Sequence, residues 1–138
     1  MSSVRWFKPW NPFACAVTGG TLTDIEALLP STPYQRAAYL NGIVEYNQVL
    51  HIPIFADAMH WNKDIKVWDL FLSAGVDINI RDSNGKTALH NACIFGNNFK
   101  AVKYLVEHGA NINKKYNNLT PIEWAALSLG VEGSNASI

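Results

Sequence analysis

At 138 residues and 49% hydrophobic composition, the chain has enough apolar material to bury the core of one domain, which excludes a disordered tail protein. Its 11 basic and 11 acidic residues cancel, so charge balance draws it neither to nucleic acid nor to an anionic membrane surface. A partner has to be recognised by shape and local chemistry.

Residues 1–10 carry Arg5 and Lys8 but no apolar run able to act as a secretion signal. No stretch approaches the roughly 20 apolar residues of a membrane span. A cytoplasmic protein is expected, although signal-less secretion as an effector would leave no trace. Asn11-Pro12-Phe13-Ala14-Cys15-Ala16-Val17 reads as a helix, with Asn11 as N-cap and Pro12 leading. Gly20 marks a turn, and Asp24-Ile25-Glu26-Ala27-Leu28-Leu29 a second helix. Residues 31–50 begin with Pro33. Their apolar positions Ala37, Ala38, Tyr39, Leu40, Ile43, Val44 and Tyr46 have helical spacing, broken only by Asn41-Gly42, which predicts one helix.

Ile52-Pro53-Ile54-Phe55-Ala56-Asp57-Ala58 predicts a further helix, pairing with residues 64–73, with Trp61-Asn62-Lys63 between them. Gly75 and Gly109 stand where a left-handed residue closes a helix. Asp82-Ser83-Asn84-Gly85 is a polar, glycine-containing turn. Thr87 and Thr120 sit at N-cap positions, and Pro121 at N1. Leu89, Val102, Leu105 and Val106 form a buried stripe, while Ala92, Ala125 and Ala126 stay small where helices approach. Cys15 and Cys93, in small-residue helical contexts, are expected to be buried apolar side chains and not a disulfide.

Two blocks repeat. Leu70-Phe71-Leu72-Ser73-Ala74-Gly75-Val76-Asp77-Ile78-Asn79 is echoed 34 residues later by Tyr104-Leu105-Val106-Glu107-His108-Gly109-Ala110-Asn111-Ile112-Asn113. Gly85-Lys86-Thr87-Ala88-Leu89-His90 is echoed 33 later from Asn118. One period from independent blocks signals a repeat architecture. Thr87-Ala88-Leu89-His90 and Thr120-Pro121-Ile122-Glu123 resemble the Thr-Pro-Leu-His opening of an ankyrin repeat, and Gly109-Ala110-Asn111-Ile112-Asn113 resembles its closing element.

The resemblance implies an all-α fold: a short ankyrin-repeat solenoid of stacked helix-turn-helix units with an inserted helix after the first repeat. The expected single domain, 1–138, comprises repeat 1 at about 10–30, the insertion 31–50, repeat 2 at about 51–80, repeat 3 at about 81–113, a partial repeat 4 at about 114–130 and a tail 131–138. Repeat 2 departs most from the family pattern. Ile52 replaces the capping threonine, Asp57 an alanine, and Trp61-Asn62-Lys63 the glycine turn. By the same resemblance His90 is structural, bonded to the backbone and to the opening threonine.

The resemblance also implies a protein–protein interaction module that uses its concave face. Partner contacts are expected from Met59, His60 and Trp61, from Arg81, Ser83, Asn84, Lys86, Ile94 and Phe95, and from Tyr116, Asn117, Leu119, Leu127 and Ser128. Many are large and apolar where the family is commonly polar, and interfaces favour Trp, Tyr and Arg. The role is that of an inhibitor, an immunity-type protein or an effector. The alternative is a structural or oligomerising module using the incomplete last repeat, where Trp124 or Leu129 lacks cover. The protein is expected to be a monomer or weak homo-oligomer. No enzyme, catalytic residue, cofactor or metal is expected: the histidines are scattered, and His90-x-x-Cys93 is a two-ligand fragment. Nucleic acid is disfavoured by the absence of a basic stripe.

Overall fold

Side-chain caps start most of the helices. Asn11 Oδ1 accepts from Phe13 N at 2.8 Å to open α1 (Pro12–Gly19), and Thr21 with Asp24 forms a reciprocal capping box on α2 (Leu22–Leu28). Thr32 caps α3 (Pro33–Leu40), and Asp64 caps α5 (Ile65–Ser73). Thr87 caps α6 (Ala88–Ile94), with His90 filling the return position of the box. Two helices begin without a side-chain cap bond, α4 (Ile54–Trp61) and α7 (Phe99–Glu107). Residues 121–127 are helical too, behind a box in which Thr120 N donates to Glu123 Oε1 at 2.8 Å. These elements come from a computed structural model that describes residues 5–95 and 98–127.

The helices pack in pairs, α1 with α2, α4 with α5 and α6 with α7, while the leading helices α1, α4 and α6 contact one another in sequence order. The core follows that line. Val17, Ile54, Ala58, Trp68, Phe71, Ala101 and Leu105 are all inaccessible to solvent. Close packing needs small residues on the leading helices, which explains Ala14, Ala58, Ala88 and Ala92 in the core. Gly75 and Gly109 close α5 and α7 with φ of 85° and 91°, a region that penalises a Cβ.

The fold is mostly helical but not all-α. A three-stranded sheet joins β1 (Trp6–Phe7), β2 (Ile43–Glu45) and β3 (His51–Pro53) in that order, β1–β2 parallel and β2–β3 antiparallel. The single helix expected over 31–50 is therefore corrected: only Pro33–Leu40 is helical, and Ile43 and Val44 lie in a strand. Helical and strand spacing are ambiguous over so short an apolar run. The decision is made by tertiary pairing at Gly42, where a Cβ would sit 2.6 Å from the Phe7 ring and 2.8 Å from Arg5 O. That close approach lets β1 lie alongside β2.

The sheet also accounts for the missing cap of α4. Its first amide, Ile54 N, donates to Gly42 O at 2.8 Å, so a backbone carbonyl supplies what a threonine side chain supplies elsewhere. The absent glycine turn is compensated by Asn62, which is 5% exposed. Its Nδ2 donates to Val17 O and Gly20 O, each at 2.9 Å, and its Oδ1 accepts from Asp64 N. Asn98 does likewise one unit on, donating to Met59 O at 3.4 Å. Trp68 fills the space between, its indole N–H shared by Ala58 O and Asn62 O. Cys93 is half-buried, whereas Cys15 is exposed, against expectation, because α1 turns that side outward.

Candidate partner-binding groove

Each leading helix turns two residues, four apart, to the same side, as a helix of 3.6 residues per turn requires. They are Ala14 and Thr18 on α1, Asp57 and Trp61 on α4, and Asn91 with Phe95 at the end of α6. Between α4 and α6 they line a groove of about 290 Å³, together with Tyr46 and Leu50 from the segment before β3 and residues of the 82–86 turn. A second hollow of about 320 Å³ continues onto α1 and shares Tyr46, Asp57 and Trp61. The two form one trough along the leading helices.

The turn tips are stitched to one another. Arg81 Nη1 donates to Gly85 O at 2.6 Å and to Lys115 O at 2.9 Å. Ser83 Oγ accepts from His51 N at 2.8 Å and donates to Val49 O at 2.9 Å, pinning the inserted segment. Asp82 Oδ1 accepts from Asn84 N and Lys86 N. The last hairpin closes through two bonds between Tyr116 and Leu119, with Asn117 and Asn118 at φ of 51° and 68°, as tight two-residue turns require. Arg81 and Ser83 thus spend their polar atoms on neighbouring turns.

Of the sequence-predicted contacts, the groove brings together His60, Trp61, Asn84, Lys86 and Phe95. Trp61 is 59% and Phe95 52% exposed. His60 lies between them, its ring 4.5 Å from that of Trp61 and 5.1 Å from that of Phe95. Lys86 Nζ stands 5.9 Å from the Phe95 ring and 5.8 Å from the Tyr116 ring, within cation–π range. Met59 is a correction. At 1% exposure it points into the core, because the residues one turn away, Phe55 and Ala56, share its buried side. Ile94 and Leu119 are half-buried, and Asn117 is exposed at the hairpin tip. Leu127 is exposed on the last helical stretch and does not line the groove. Tyr116 stacks on Trp124, whose indole N–H donates to Tyr116 O. Ser128, Leu129 and the expected tail 131–138 lie outside the described residues.

Seven groove residues escaped the sequence-based contact set, among them the polar or ionisable Tyr46, Asp57 and Asp82. Tyr46 donates its hydroxyl to Asp57 Oδ2. Burial pushes the Asp57 carboxyl up to about 6, against the opposing effect of that bond, while burial and the bond to Asp57 drive the Tyr46 phenol well above its ordinary value. A signal was present, since an acid at a position otherwise small and apolar is unusual in a core. His60 is lowered by burial, then by Lys63 and Lys86.

His90 is structural. It is fully buried, Nδ1 meets Thr87 N and Thr87 Oγ1, and Nε2 meets Leu119 O at 3.3 Å. Burial lowers it, so it stays neutral and bridges the cap to the next turn. No group of three or more His, Cys, Asp or Glu able to hold a metal occurs among the described residues, and no helix among them is long and apolar enough to cross a membrane.

The profile of a family described as "Ankyrin repeats (3 copies)" matches residues 54–135, more than half of the sequence. The chain belongs to the ankyrin-repeat family. An ankyrin repeat protein of fowlpox virus (strain NVSL) is 43% identical over 44 residues, 32% of this chain and 10% of the viral protein. A protein of rice (Oryza sativa subsp. japonica) described as an E3 ubiquitin-protein ligase is 30% identical over 128 residues, 85% of this chain and 24% of its own length. The chain therefore spans about a tenth and about a quarter of these curated relatives. Ankyrin repeats are generic protein–protein interaction modules and typically not enzymes.

Proposed function

We propose that this chain is a short ankyrin solenoid that binds another protein through the trough on its leading helices, with repeats at about 10–30, 51–80, 81–113 and 114–130 and the segment 31–50 walling one end. The observation that carries this reading is the exposure of Trp61 and Phe95 at the rim of the groove, side by side with His60. Large aromatic side chains half in water cost solvation in the free protein and contribute most to interfaces. The module acts by occupying its partner's surface, as an inhibitor, an immunity-type protein or an effector does. The exposed thiol of Cys15 suits a reducing compartment such as the cytoplasm.

Phe95→Ala tests the binding face. Truncating such an anchor is expected to reduce capture of the partner by about tenfold or more, about 1.4–3 kcal/mol. Phe95 is half exposed, so the melting temperature should move little. The readout is affinity purification from the native cell, quantified by mass spectrometry for wild type and variant together. Undiminished capture by the variant refutes the binding face.

A second reading, self-association at the other end, is favoured by one observation. An apolar hollow of about 540 Å³ lies against Leu89, Val102 and Ala125, with Phe99 and Ile122 largely exposed beside it. Sedimentation over a hundredfold range of concentration decides: a constant monomer mass removes this reading.

A further inference from the structure

The groove holds more unused hydrogen-bond acceptors than a surface that only excludes water needs. Asp82 is 8% exposed, and while its Oδ1 accepts from two amides of its own turn, its Oδ2 is buried without a partner. His60 Nδ1 is buried and unpartnered as well, and is an acceptor in the neutral tautomer that carries its proton on Nε2. Asp57, 4% exposed, receives the Tyr46 hydroxyl on Oδ2, which leaves acceptor capacity on a carboxylate with about four lone-pair sites. All three side chains line the same groove. An unpaired buried acceptor costs about 1–3 kcal/mol, so such a set is stable only at the expense of the free protein.

The charges define what completes it. Two carboxylates, Asp57 and Asp82, face one cation, Lys86, whose ammonium is turned towards the Phe95 and Tyr116 rings. The open lining is thus net acidic, and its rim is aromatic. A volume of about 290 Å³ lies at the lower edge of the ~300–1,000 Å³ of small-molecule sites, so the groove takes a side chain and not a larger ligand. A guanidinium fits each element: planar against aromatic rings, permanently charged, with five donors for acceptors spread over one helix and a turn. A lysine ammonium offers a single point of charge.

We propose that this groove seats an arginine side chain of the partner, the guanidinium lying against Trp61 and Phe95, bonded by Asp82 Oδ2 and His60 Nδ1, and balanced by Asp57. The proposal rests on the reading of the trough as the partner-binding face and names what that face recognises.

The test is a ¹H–¹⁵N NMR titration of the whole chain with N-acetyl-arginine methylamide, the lysine and glutamate analogues serving as controls. One side chain binds weakly, so titration to roughly 50 mM is needed to cover millimolar affinity. The arginine probe should shift the Trp61 indole and the Asn84 and Phe95 amides, and the lysine and glutamate probes should do so at least about fivefold more weakly. Asp82→Asn keeps Oδ1 for its two amides and replaces the free acceptor by a donor. It should weaken the arginine response about tenfold, the loss of one charge-assisted bond. His60→Phe, which keeps an aromatic ring beside Trp61, should act in the same direction should the first variant fold poorly. Equal response to arginine and lysine, no groove response at all, or full response in both variants overturns the assignment. If capture of the partner still depends on Phe95 in that event, the binding face stands without its arginine. Capture independent of Phe95 instead removes the binding face, whatever the probes do.

Discussion

Asp57→Asn should make the protein more stable at neutral pH, and the gain should vanish in acid. The carboxyl is 4% exposed on α4 and titrates at about 6, above the 3.8 of an ordinary aspartate, because burial penalises the charged form. A native pKa above the unfolded one means that the folded state holds the proton more tightly. The contribution is fully present below about pH 4 and is lost as pH rises through about 6. At about 1.4 kcal/mol per pH unit, that interval makes the ionised carboxylate about 3 kcal/mol worse than its neutral acid above pH 7. Asparagine is neutral, has nearly the same shape, and offers an oxygen to the Tyr46 hydroxyl. The variant should therefore exceed wild type by about 2–3 kcal/mol at pH 7.5 and match it near pH 4. Urea denaturation of both proteins at unit steps from pH 4 to pH 8 measures the difference directly. A variant less stable at pH 7.5, or a difference independent of pH, refutes the reasoning. The result also bears on function, since a charge kept at such a cost in a groove implies selection for something other than stability.

Two further substitutions test the scaffold. Asn62→Ala strips three bonds from a buried site, leaving Val17 O, Gly20 O and Asp64 N without that partner, and should cost about 2–4 kcal/mol in urea midpoint analysis. A cost under about 0.5 kcal/mol, typical of a surface substitution, would show that the turn does not depend on Asn62. Gly42→Ala places a Cβ 2.6 Å from the Phe7 ring and 2.9 Å from Tyr39 O, so it should destabilise by about 1–3 kcal/mol. Amide exchange should speed up selectively at Ile43, Val44 and Ile52, and unchanged protection there would contradict the packing described for Gly42.

The parts of this fold that were legible in sequence are those fixed by local chemistry. Thr87 and Thr120 cap helices as their positions predict, and Gly75 and Gly109 close them with positive φ, while the structural role of His90 followed from the family resemblance and its bond to Leu119 O came only with the fold. The sheet was not legible. Its strands are two and three residues long, one pairing is parallel, and Ile43 and Val44 follow a helix whose apolar spacing they continue. Only the approach of Phe7 to Gly42 breaks the tie, and that contact spans some 35 positions. The groove was half legible. Trp61 and Phe95 stood out by size, but Asp57 read as a blemish in a helix until Tyr46, eleven residues earlier, was brought onto it. Met59 was misplaced because adjacent helical residues face different directions, and one step along α4 separates the core from the half-buried edge.

The small sheet changes how the molecule can come apart. In a plain stack each helix pair touches only its neighbours, so units fray one at a time and can be duplicated or lost without harm to the rest. Here β2 is clamped between β1, which precedes the first helix pair, and β3, which runs directly into α4, and Ser83 fastens the same region to the following turn. Residues 6–83 consequently form a clasp: the first pair cannot peel away without unzipping a sheet, baring its edge and loosening the unit beyond. Proteolysis and amide exchange should see this stretch open in a single step, whereas α7 and the helical residues 121–127 are joined to it by packing and by bonds such as Asn98 to Met59 O and Arg81 to Lys115 O, not by strand pairing, and should open before it. Gene-level shuffling of repeats is confined in the same way, to the part of the chain that no strand holds.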